Sequence, residues 1–73
     1  VIADLRELIA KRPFVSFTIH TVDGGGIRVP TVDHIAVPPA GDRVFVFFDK
    51  GGYDTIRPLM ISRLTVDHAT NGS

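Results

Sequence analysis

Cysteine and tryptophan are absent from this 73-residue chain, and methionine and tyrosine occur once each. Without cysteine there is no disulfide and no thiolate zinc site. A domain of this size buries only about 60% of the surface its unfolded chain exposes, so it commonly needs a further staple. The staples left are oligomerisation and a metal held by histidine and carboxylate groups. An excess of charge is missing too, since eight Lys and Arg balance eight Asp and Glu. That balance argues against nucleic-acid binding through a basic run, and leaves a patch assembled by the fold or by a ring of subunits. No apolar run approaches the roughly 18 residues of a membrane span. The opening "VIADLRELIAKR" has charges among its apolar positions, unlike a secretory signal. The expectation is one soluble, cytoplasmic domain over residues 1–68, with residues 69–73 a disordered tail. The chain opens on Val1 rather than methionine, which leaves room for residues in front.

The apolar pattern divides what is present. Ile2, Leu5, Leu8 and Ile9 recur at three- and four-residue spacing and form the stripe of a helix. Pro13 ends it, because the residue before a proline is pushed out of the helical region. After Pro13 the period becomes two: Val15, Phe17 and Ile19 alternate with Ser16, Thr18 and His20, as in a half-buried strand. "DGGG" at 23–26 reads as a hairpin turn. A phosphate-cradling loop needs a helix directly after the glycines, and "IRVP" alternates like a strand instead. The second strand starts at Ile27 and Val29, is interrupted by Pro30 and resumes through Ile35 and Val37.

"PPAGD" turns the chain into Arg43–Phe48, apolar on both faces. Val44, Val46 and Phe48 face one way, Phe45 and Phe47 the other. A strand of this kind is central or covered by a partner. Phe45 and Phe47 are therefore expected to meet the N-terminal helix or, failing that, a neighbouring subunit. A turn at "DKGGY", a fourth strand from Tyr53 to Ile56, a helical turn at "LMI" and a last strand Arg63–Val66 complete the chain. The expected fold is mainly β (α+β), an N-terminal helix followed by about five short, bent antiparallel strands in a small barrel.

Thr-Val-Asp occurs at Thr21–Asp23, Thr31–Asp33 and Thr65–Asp67, and every histidine touches a copy. His20, Asp33, His34, Asp67 and His68 are thus candidate ligands for zinc, nickel or iron(II). Adjacent Asp and His point to opposite faces of a strand, so each copy offers a common point one ligand at best. The bland alternative is strand-end grammar, in which β-branched residues precede a turn-starting Asp. Nucleophilic catalysis lacks a frame. Ser16, Ser62 and Ser73 have no nucleophile-elbow context, and Ser16 and His20 on one strand are separated by roughly 13 Å. The chain is expected not to be an enzyme and to need no cofactor. No small-molecule substrate suggests itself.

Two resemblances follow from these residues. "RPFVSFTIHTVDGGGIRVPTVDHIAVPPAGDRVFVFF" resembles a group of small uncharacterised bacterial proteins with an Arg-Pro-Phe entry to the first strand, an Asp-Gly hairpin and a Pro-x-Gly turn. That likeness spans Leu5 to Val66 and implies a shared fold. The order of a helix and five bent strands is similar to the Sm-like family. Ile56, Arg57, Ile61 and Leu64 in "IRPLMISRL" match the spacing of its second motif, with Pro58 in place of its glycine. Phe17, Ile19, Gly24 and Asp33 echo its first motif, without the base-reading asparagine. The Sm-like resemblance implies rings closed through strand edges and binding of single-stranded RNA. Tyr53, Arg57, His34 and Asp33 would be the contacts, with Arg28 and Lys50 as further cations. The functional expectation is a non-enzymatic interaction module that self-associates through its strand edges, with Phe45 and Phe47 at the protein interface. An Sm-like RNA-binding protein is the alternative, and a His/Asp metal protein a further one.

Overall fold

The computed structural model describes residues 1–67; His68 and the expected tail 69–73 lie outside the described residues. It shows a small α+β protein, with one N-terminal helix and six strands in two antiparallel sheets. The helix, α1, spans Ile2–Ala10 and buries Leu5 completely, while Ile2, Leu8 and Ile9 pack partly against the same core. Lys11 is already extended, one residue before the Arg12 that Pro13 keeps out of the helical region. In place of a glycine cap, Arg12 folds back and donates to the carbonyls of Ile9 and Lys11. Arg6 donates to the carbonyls of Pro38 and Pro39, which fastens α1 to the turn between the third and fourth strands.

Strands β1 (Phe17–Thr21) and β2 (Gly26–Val29) form the hairpin that the glycines imply. Gly24 has φ +94°, a conformation few other residues adopt without strain. β6 (Ile61–Val66) returns to the other side of β1, pairing Phe17 with Val66 and Ile19 with Leu64, with a register shift after His20. The first sheet thus has the order β2-β1-β6. The second has the order β3-β4-β5, from β3 (Ile35–Ala36), β4 (Val44–Phe47) and β5 (Tyr53–Ile56).

The second strand of the sequence reading is divided in two. Pro30 has no N–H to continue the ladder, and Val32–His34 form a 3-10 turn in which Thr31 Oγ1 accepts from Asp33 N–H. The turn carries the chain from the first sheet to the second, so β2 and β3 belong to different sheets. That break accounts for six strands where about five were expected. Among the described residues the sheets do not join into a closed barrel.

Both sheets turn one face to a shared core. Phe17, Ile19, Val29 and Ile61 come from the first sheet, Ile35, Val44, Val46 and Ile56 from the second, and Leu5 from α1. The helical turn expected at "LMI" is a 3-10 turn at Pro58–Met60, and Ile61 already belongs to the last strand, which starts two residues earlier than expected. The aromatic strand is shorter than expected and its cover differs. β4 ends at Phe47, and Phe48 beyond it stays 46% exposed, outside the core that holds Val44 and Val46. α1 spends its stripe on the core around Leu5 and does not cover Phe47, which is 39% exposed.

Candidate interaction surface

The outer face of the second sheet is built from residues that alternate with its core side chains. Val44 and Val46 point inward, so Phe45 and Phe47 point outward. The register sets Phe47 opposite Tyr53 and Phe45 opposite Thr55. The three aromatic rings meet there. The Tyr53 centroid is 6.0 Å from Phe45 and 6.1 Å from Phe47, with interplanar angles of 57° and 48°. Tilted pairs at such distances are favourable beyond the area they bury. Tyr53 nevertheless stays 62% exposed.

This aromatic group borders a strand edge with no partner among the described residues, because β5 is the last strand of its sheet. Phe48 N–H donates to Gly52 O at 3.1 Å, which fixes the alternation along the hairpin. Val46 with Asp54 and Val44 with Ile56 are then the hydrogen-bonded pairs, and the main-chain groups of Tyr53 and Thr55 point away from β4. β6 forms a similar edge. Asp67 N–H donates to Ser16 O, so the main-chain groups of Leu64 and Val66 point away from β1.

His34 ties the corner turn to the tip of the β4–β5 hairpin. Its Nε2 is 2.6 Å from Asp49 Oδ1 and its Nδ1 is 2.7 Å from Thr31 Oγ1. A neutral ring satisfies every group if Nε2–H donates to Asp49 and the Thr31 hydroxyl donates to Nδ1 while accepting from Asp33 N–H. Asp33 takes part through its backbone, and its side chain is exposed.

No family model, curated protein or solved structure matches the chain.

The four residues expected to contact RNA do not converge on one point. His34 and Tyr53 lie toward the hairpin tip, through Asp49 and through the Phe47–Tyr53 pair. Arg57 follows the other end of β5, four residues from Tyr53 and so roughly 13 Å along an extended chain. It lines a separate groove beside the β1–β2 turn. Lys50 is exposed on the hairpin turn, and Arg28 pairs with Asp67 at 2.6 Å. The metal candidates are dispersed as well. His20 Nε2 contacts Thr65 Oγ1 at 2.9 Å, His34 is engaged by Asp49, and Asp67 by Arg28. Among the described residues no three His, Asp or Glu side chains cluster to hold a metal. No described helix is long and apolar enough to cross a membrane.

The Thr-Val-Asp copies do share one habit that the sequence did not reveal. Each threonine hydroxyl is used: Thr21 donates to Asp23, Thr31 binds His34, and Thr65 binds His20. Asp23 Oδ1 also accepts from Gly25 N–H at 3.1 Å. The Thr21 hydroxyl first, and the Gly25 N–H second, hold the Asp23 carboxyl below its ordinary pKa. Sequence order gave no signal for the His34–Asp49 contact, whose partners come from separate turns, or for the groove beside Arg57.

Proposed function

We propose that this chain is a non-catalytic interaction module that self-associates through its strand edges. The observation that carries the reading is the Phe45–Phe47–Tyr53 group, half-buried at Phe45 and exposed at Phe47 and Tyr53, beside the edge of β5 that has no strand partner among the described residues. Exposed edges invite a further strand, and flanking aromatic rings supply apolar area when one is added. In this reading β5 of one copy pairs with the edge of β6 on the next. The two sheets act as the halves of a small, open barrel of the Sm or SH3 kind. The absence of cysteine and the small core are consistent with stability gained by assembly. Light scattering across the micromolar range tests it. Mass should rise with concentration, and Phe47→Ser should lower it; a monomer at every concentration removes the proposal.

A second reading, binding of single-stranded RNA, is favoured by the open Tyr53 ring, on which a base could stack for about 1–3 kcal/mol. Anisotropy titrations with short U-rich and A-rich RNAs at two salt concentrations decide it. Binding that weakens with salt and is lost in Tyr53→Ala supports this reading, and no binding at low salt removes it.

A further inference from the structure

An open groove of about 520 Å³ lies between the β1–β2 hairpin, β5 from Asp54 onward and the 3-10 turn at Pro58–Met60. That volume falls within the range of about 300–1,000 Å³ usual for small-molecule sites. Ile27, Ile56 and Met60 line it with apolar surface, and Asp23, Asp54 and Arg57 bring charge of both signs. Among the described residues Arg57 makes no ion pair and no side-chain hydrogen bond, and neither does Asp54. Both signs line one groove, yet they stand farther apart than the 4.0 Å of an ion pair.

Asp23 is fixed in advance. Its Oδ1 takes the Thr21 hydroxyl and the Gly25 N–H, which leaves Oδ2 without a protein partner among the described residues. Gly25 is needed for this arrangement, since a Cβ there would lie 2.8 Å from Thr21 Oγ1. The same two donors keep the carboxyl below its ordinary pKa, so it is ionised at neutral pH.

We propose that this groove binds a small zwitterion of the α-amino-acid type, with its ammonium at Asp23 and Asp54, its carboxylate at Arg57, and its apolar body on Ile27, Ile56 and Met60. The charges select this class over its simpler relatives. An amine alone is attracted by two carboxylates and repelled by Arg57, and a carboxylate alone meets the reverse. A molecule with both groups, spaced by its own covalent frame, satisfies both signs without drawing Arg57 onto an aspartate. The groove is open to water and screens each contact, so binding is weak, with a Kd of about 1 mM. The groove shares β5 with the edge proposed for self-association, so its occupancy is measured on dilute, monomeric protein.

Amide-resolved NMR titration tests the proposal with three probes: leucine, isoamylamine, which lacks the carboxylate, and isocaproate, which lacks the ammonium. Leucine should shift the amides of Gly24–Ile27 and Thr55–Arg57 saturably, and each half-ligand should bind at least about tenfold more weakly. Arg57→Gln should remove the advantage of leucine over isoamylamine, and Asp54→Asn should reduce its advantage over isocaproate, with Asp23 left as the one carboxylate for the ammonium. Arg57 and Asp54 are both exposed, so an unchanged amide dispersion in either variant is enough to read its arm. The proposal is overturned if leucine gives no saturable shift by about 10 mM, if its shifts fall elsewhere, or if the half-ligands bind as well as leucine does.

Discussion

His34 joins two parts of the chain that the sequence keeps separate: its Nε2 is 2.6 Å from Asp49 Oδ1, and its Nδ1 is 2.7 Å from Thr31 Oγ1. The imidazole is largely covered, with its side chain 19% exposed, while that of Asp49 is 84% exposed. The contact thus pins the corner between the sheets to the hairpin beside the aromatic group. Solvent around Asp49 screens it, so a double-mutant cycle of His34→Ala and Asp49→Ala should give a coupling of about 0.2–1 kcal/mol. Urea denaturation of the four proteins measures it. A coupling of zero would show that the two side chains are merely adjacent.

Phe17→Ala should be the most damaging of the aromatic substitutions. Phe17 is fully buried, lies between Val29 and Val66 in the register, and meets Phe14 in a tilted ring pair at 5.9 Å. The expected loss is about 3–5 kcal/mol, a large part of the stability of so small a domain. Thermal denaturation followed by circular dichroism checks it.

Phe47→Ser should behave in the opposite way. Its ring is exposed and touches Tyr53 on the outer face. Stability in dilute solution should stay within about 0.5–1 kcal/mol, the worth of an exposed aromatic pair, while the concentration dependence of mass falls. Comparing urea midpoints with light scattering separates the two effects.

Asp23 links pH to the β1–β2 turn. The Thr21 hydroxyl and the Gly25 N–H favour its charged form, so its folded pKa lies below the ordinary 3.8. A lowered carboxyl pKa stabilises the fold fully above the unfolded value, and that contribution is lost as pH falls through the folded one. Stability should therefore decline below about pH 4, and Asp23→Asn should flatten that acid limb. Urea midpoints between neutral pH and the acid limb read the difference. NMR titration of the carboxyl carbon should find the shift directly.

Gly25→Ala addresses the same turn from the backbone. The new Cβ would lie 2.8 Å from Thr21 Oγ1 and 3.4 Å from Asp23 Oδ1, so the threonine must give up its place beside the aspartate. The variant should unfold at lower temperature, and its Asp23 should titrate closer to the ordinary carboxyl range. An unchanged Asp23 titration would show that the hydroxyl is not what holds the carboxylate charged.

Periodicity made most of the elements legible. The spacing of Ile2, Leu5, Leu8 and Ile9 gave α1, and the alternation through Phe17 and Ile19 gave β1. The glycines at 24, 51 and 52 marked turns because their positive φ is a local property of the backbone. Pro30 announced an interruption, but a proline does not say where the chain goes next. The division of β2 and β3 between two sheets depends on partners distant in sequence. The outward faces of Phe45 and Phe47 followed from alternation with Val44 and Val46, whereas the helix that was expected to cover them was needed over the core. The separation of Arg57 from His34 escaped notice for a related reason. Alternation assigns faces, and it does not say at which end of a sheet two strands' residues will meet.

The pairing of β1 with β6 also bears on the order in which the chain can fold. The second sheet closes from neighbouring segments, as β3, β4 and β5 follow one another through short turns. The first sheet needs Val66 beside Phe17, from nearly opposite ends of the described chain. Closing so long a loop comes late compared with local hairpins. During synthesis, Phe17 and Ile19 therefore have only β2 for a strand neighbour until residues 61–66 emerge from the ribosome. Over that interval β1 is itself an open edge, so the nascent chain is most prone to mispairing before its last strand arrives.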